Sequence, residues 1–199
     1  MGAAALWKSL PAPHRRWIVL NALLGTALVN LIVNAVIAWL FVQGQSDVPL
    51  WARPLSETST LGDTLGTIFL LPLITGVLAT TVVRRDLRNG ALPPLSTEHP
   101  YGRWLAARPD GRFRRGLGFG VLAFVALALP VTLALVALDL DTLTKGEFVT
   151  FKVTFAIALC ALVTPVIALC AMTDDIDLGL SKVGTTAPLP EAELRRRRD

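Results

Sequence analysis

The sequence predicts an all-α fold, an integral membrane bundle of four transmembrane helices with both termini in the cytoplasm. Three observations carry this. The 199 residues are 53% hydrophobic and only 17% charged, against roughly 25% charged in a soluble domain, and mean hydropathy is +0.56. Four apolar runs, Trp17–Val42, Thr64–Val83, Gly116–Leu138 and Val153–Met172, interrupt the chain. Each reaches the ~20 residues a helix needs to cross a ~30 Å hydrocarbon layer. Lys and Arg are distributed unevenly between the connections. A soluble enzyme, a disordered chain and a coiled coil do not fit this composition.

The expected organisation follows the runs. Residues 1–16 form a cytoplasmic amino-terminal segment. Residues 17–172 form the transmembrane domain, with helices at about 17–42, 64–83, 116–138 and 148–172 and a basic cytoplasmic loop at 84–115. Residues 173–199 form a cytoplasmic flexible tail. The first run is about twice as long as a signal-peptide core, and no A-x-A-like site follows Val42, so it is read as a retained helix. Only a helix satisfies its backbone polar groups within one lipid-embedded segment.

Orientation comes from the basic residues. The amino-terminal segment, the 84–115 loop and the tail hold 16 of the 19 Lys and Arg residues. The two opposite loops hold only Arg53 and Lys145, and Lys152 lies just inside the fourth helix. This bias places both termini and the long loop inside the cell. Trp17 and Trp39 bracket the first helix, and Trp51 and Trp104 lie in loops, as interfacial anchors would. The Ala-, Leu- and Arg-rich usage points to a bacterial plasma membrane.

Helix faces give the next expectations. Membrane helices associate through small residues and polar contacts. On the third helix, Gly116, Gly120, Ala123, Pro130, Ala134 and Ala137 share one face, with Leu122, Val125, Leu129 and Val136 away from it. On the fourth, Thr150, Thr154, Ala161, Thr164, Pro165 and Ala168 share a face. Both stripes are expected to face the bundle or an oligomeric partner, and helices one–two and three–four to form antiparallel hairpins. Cys160 and Cys170 read as small apolar filler.

The candidate polar site within the membrane is Thr26, Asn30 and Asn34 on the first helix with Thr64, Thr67 and Thr75 on the second. An unpaired amide in hydrocarbon is costly, so these residues are expected to point inward. Lys152 lies about 160° from the small stripe of its helix and is expected to snorkel to headgroups rather than pair with Asp63. Pro72, Pro130 and Pro165 each stand inside a helix.

Catalytic chemistry is not legible. No H-E-x-x-H, C-x-x-C or Walker A pattern occurs, and no glutamate lies within the apolar runs. Asp174, Asp175 and Asp177 read as a solvated helix end. No catalytic residue, metal site or cofactor is expected, and no nucleic-acid partner, because topology accounts for the arginines. The 84–115 loop has eight Arg against three acids. Arg84, Arg85, Arg88, Arg112, Arg114 and Arg115 are expected to touch anionic lipid headgroups at the cytoplasmic face. The functional expectation is a membrane subunit or scaffold, homo- or hetero-oligomeric, acting through helix–helix partners and not as an enzyme. The alternative is a small oligomeric transporter or channel with a polar path at Asn30 and Asn34.

Overall fold

The computed structural model describes residues 7–52, 58–95, 105, 111–138 and 141–174. Trp104, most of the basic loop, and Asp175, Asp177 and the rest of the tail lie outside the described residues. Among the described residues four helices are long and apolar enough to cross a membrane: α1 (Ala12–Phe41), α2 (Thr60–Arg88), α3 (Arg112–Ala137) and α4 (Lys145–Met172). Strands β1 (Asp47–Pro49) and β2 (Thr142–Thr144) pair antiparallel, with Val48 opposite Leu143. This ribbon has no counterpart in the all-helical reading, because three-residue strands are too short for a periodic signal.

The helices outrun the apolar runs where local chemistry lets them. α2 starts early because the Ser59 hydroxyl accepts from the Gly62 amide. It ends late in a Schellman turn. Gly90 takes φ +70°, its amide reaches the Leu87 carbonyl, and the Ala91 amide reaches that of Asp86. α4 starts on a capping box: Thr144 accepts from the Glu147 amide, and Glu147 accepts from the Thr144 amide. Within α1, Ile18–Gly25 is wound as a π-helix. This shifts the phase between the residues before and after it.

The packing order is α1–α4–α2–α3. Trp17 and Ile18 of α1 meet Ala168–Met172 of α4, while Ala38 and Val42 meet Phe148, so the two helices run antiparallel. α2 runs parallel to α4 and antiparallel to α3. The expected hairpins of sequence neighbours are therefore corrected. α1 and α2 stand on either side of α4, and α3 packs chiefly on α2. The long connection after α1 lets α2 land beyond α4. The residues between α3 and α4, at up to ~3.3 Å each, reach past α2.

α4 is consequently the central helix, with 61% of its most apolar stretch buried against 17% for α1 and for α3. Its predicted stripe is not buried as one face within the chain. Thr164 and Ala168 are buried, but Thr150, Thr154 and Ala161 are exposed, while Phe148, Lys152, Ala156 and Leu159 face inward. A helix contacted from two sides buries more than one face, which a single-stripe wheel cannot represent.

The α3 stripe holds in its first half. Gly116, Gly120 and Ala123 are buried, and Leu122, Val125, Leu129 and Val136 are exposed. Beyond Ala123 the contact passes to Val131 and Leu135, leaving Pro130, Ala134 and Ala137 exposed. At the crossing the backbones nearly touch. A Cβ on Gly116 would overlap the Leu73 carbonyl oxygen, and one on Gly120 would stand 2.8 Å from that of Phe69.

Gly116→Val is expected to push α3 off α2 at a cost of about 1–3 kcal/mol. Gly118→Val, whose Cβ would meet nothing within 4 Å, is expected to stay within about 0.5 kcal/mol. Thermal unfolding of both variants in detergent measures the difference.

Candidate functional site

The polar residues of α1 form a ladder. The Thr26 hydroxyl donates to the Ala22 carbonyl. The Asn30 amide donates to the Thr26 carbonyl at 2.9 Å and to Cys160 Sγ of α4 at 3.0 Å. The Asn34 amide donates to the Asn30 carbonyl at 3.1 Å and to its side-chain oxygen at 3.0 Å. From α2, Thr75 Oγ1 lies 3.7 Å from the same sulfur. Cys160 thus joins three helices through a polar knot and is more than filler. Spacing alone gave no sign of this, because the sulfur comes from a helix read as apolar.

Nearer the ribbon, Lys152 of α4 donates to Asp63 Oδ1 of α2. Lys152 is 4% exposed and the Asp63 side chain 11%. This corrects the expectation of a snorkelling lysine. α4 has neighbours on both sides, so the face opposite its small residues is interior. The signal was present in the sequence: Asp63 and Lys152 carry opposite charges near the same end of their helices. A charge withdrawn from water is retained when a partner of opposite sign stands beside it.

A cleft of about 460 Å³ joins these features. α1 contributes Asn30, Asn34 and Phe41; α2 contributes Asp63, Thr67 and Thr75; α4 contributes Lys152. The remaining walls are aliphatic, Val33, Leu70 and Ile74 among them. The cleft exists because α1 and α2 both lean on α4 rather than on each other. Five of the six predicted polar residues lie at it or on its ladder. Thr64 does not. It is buried and bonds back to the Thr60 carbonyl at 2.6 Å, as Thr67 does to Asp63 at 2.8 Å.

The opposite end of the molecule is basic and internally paired. Asp174, just past α4, accepts from Arg84 Nε at 2.8 Å and from both terminal nitrogens of Arg115, at 3.1 and 2.5 Å. Arg115 is 1% exposed. Two of the six arginines expected at headgroups are therefore engaged with Asp174, while Arg85, Arg88, Arg112 and Arg114 are exposed. Trp17 is also corrected. It is buried, and its indole donates to Asp86 at 2.7 Å, because α2 continues past its apolar run and brings Asp86 alongside. Trp39 and Trp51 remain exposed, and Lys145 lies 3.8 Å over the Trp39 ring.

Among the described residues no three His, Cys, Asp or Glu side chains gather closely enough to hold a metal ion. No protein-family model, curated protein or solved structure matches the chain.

Removing one partner of the buried pair strands the other charge. Asp63→Leu or Lys152→Met alone is expected to cost about 3–5 kcal/mol, and the double replacement far less than their sum. Denaturant titration in detergent, followed by circular dichroism, gives the four corners of the cycle. Additive costs would show that the two charges do not depend on each other.

Proposed function

We propose that the protein is a non-catalytic, multi-pass subunit of a bacterial plasma membrane that works by packing against a partner helix. One observation carries this reading: small residues of α4, Thr150, Thr154, Ala158 and Ala161, lie on one exposed face. At 100° per residue they fall within about 80° of one another. Small residues facing lipid give a helix nothing, whereas they let a second helix approach closely. The corresponding row at the start of α3 is already used by α2. The charges at both ends of α4 are paired within the chain, which supports a structural rather than a chemical role for them.

In this reading both termini are cytoplasmic, by the basic bias of the connections. Arg85, Arg88, Arg112 and Arg114 then face anionic headgroups, each contributing about 1 kcal/mol of attraction. Transport is a second reading, favoured by the polar knot of Asn34, Asn30, Cys160 and Thr75. It expects Asn30→Leu to abolish flux in liposomes while the protein stays folded.

Two measurements test the proposal. In intact cells, a cysteine at Gln45 should react with an impermeant maleimide and one at Asn89 only after permeabilisation. The native Cys160 and Cys170 are buried and should stay silent in both. The reverse pattern would invert the topology. In mild-detergent purification from native membranes, the intact mass should contain a second protein in fixed ratio, lost in Ala158→Phe while the fold persists. A homo-oligomer insensitive to Ala158→Phe would favour transport instead.

A further inference from the structure

The geometry points to the α1–α2 cleft as a binding site for one acyl chain of a zwitterionic phospholipid, with the headgroup end at Asp63 and Lys152. This rests on the membrane-spanning reading above.

Length comes first. Asp63 and Leu78 mark the ends of the cleft along α2. Fifteen residues of helix separate them, about 22 Å. One leaflet fills half of a ~30 Å hydrocarbon layer, about 15 Å, so the cleft holds a whole leaflet chain and the glycerol end above it.

Width decides between a chain and a helix. A helix about 11 Å across and 22 Å long fills roughly 2,000 Å³, more than the cleft encloses. A partner helix would rest on the rim and leave a void beneath it. A single hydrocarbon chain enters.

Access and polarity agree. The cleft opens sideways, because Ile74 and Leu78 on one wall and Val29 and Val33 on the other are about half exposed. A lipid reaches it by lateral diffusion, whereas a water-soluble solute would have to cross hydrocarbon. Asp63 lies three residues into α2 and Lys152 seven into α4, about 5 and 11 Å from their helix starts. With the helix starts at the outer surface, that depth is where headgroup meets chain. The pair has no net charge but presents both signs. Lys152 has three N–H donors and gives one to Asp63, leaving donors for phosphate or ester oxygens. The carboxylate complements an ammonium. An anionic headgroup would gain from Lys152 and be repelled by Asp63.

The test uses the full chain in phosphatidylethanolamine vesicles containing a trace of the same lipid with a mid-chain diazirine. After illumination, adducts on Val33, Leu70 and Ile74 should exceed those on Val125 and Leu129 of α3 by about fivefold, a preference of about 1 kcal/mol. Ile74→Trp, at an exposed position, should fill the cleft and bring its yield down to that of α3, leaving α3 labelling unchanged. Replacing the probe by diazirine-bearing phosphatidylglycerol should lower cleft labelling in the unaltered chain. Equal labelling of cleft and α3 would overturn the site, leaving a membrane protein with ordinary surrounding lipid. Cross-links from the cleft to a second copy would overturn it in favour of a self-interface. Absence of adducts from every helix would overturn the membrane reading itself.

Discussion

Two ionic contacts fix where α2 lies along α4. Asp63 meets Lys152 near one end, and Arg84, with Arg115 of α3, meets Asp174 at the other. From Asp63 to Arg84 is 21 residues, and from Lys152 to Asp174 is 22. At 1.5 Å per residue these spans are about 32 and 33 Å. The two helices run parallel, so both contacts form at one axial setting and neither survives a slip of a turn. The glycine crossing then places α3 against α2, and the antiparallel contact of α1 with α4 closes the arrangement. Small-residue packing by itself sets no such register, because one methyl-sized groove resembles the next.

The existence of four apolar helices was legible because it rests on length and composition, which neighbours do not alter. The first half of the α3 face was legible for a related reason: Gly116 and Gly120 permit an approach that larger residues forbid. The inward direction of Asn34 followed from the cost of an unpaired amide in hydrocarbon. Packing order was another matter. In lipid, Leu packs on lipid about as well as on Leu, so apolar periodicity does not say which helix sits in the middle. Once α4 took that place, the single-face wheel failed for Thr150, Thr154 and Lys152 together, and for one cause. Trp17 was misread because Asp86 reaches it only after α2 runs past its apolar end.

The cleft is a by-product of the same order. α1 and α2 share α4 as a neighbour and so cannot close on each other along their length. What fills the angle between them is a polar knot at mid-height and aliphatic walls on either side. Asn30 and Thr75 contact a sulfur from the helix below them, which holds the angle without bringing α1 against α2. The site is thus positioned by what α4 supplies from beneath, and its polar end lies where the register contact between Asp63 and Lys152 had to be.

The ribbon also orders events in time. β1 follows α1 and β2 directly precedes α4, and Lys152 lies 89 residues after Asp63. A ribosome adding roughly 5–20 residues per second needs about 4–18 s to cover that distance. Through this interval α1 lacks its principal neighbour and Asp63 lacks its ammonium, and Arg115, once made, waits 59 residues for its carboxylate. All three await α4 and the residues just past it. A nascent chain stopped before residue 145 therefore presents isolated charges and an uncovered α1, and these are features that a quality-control protease can distinguish from the finished protein.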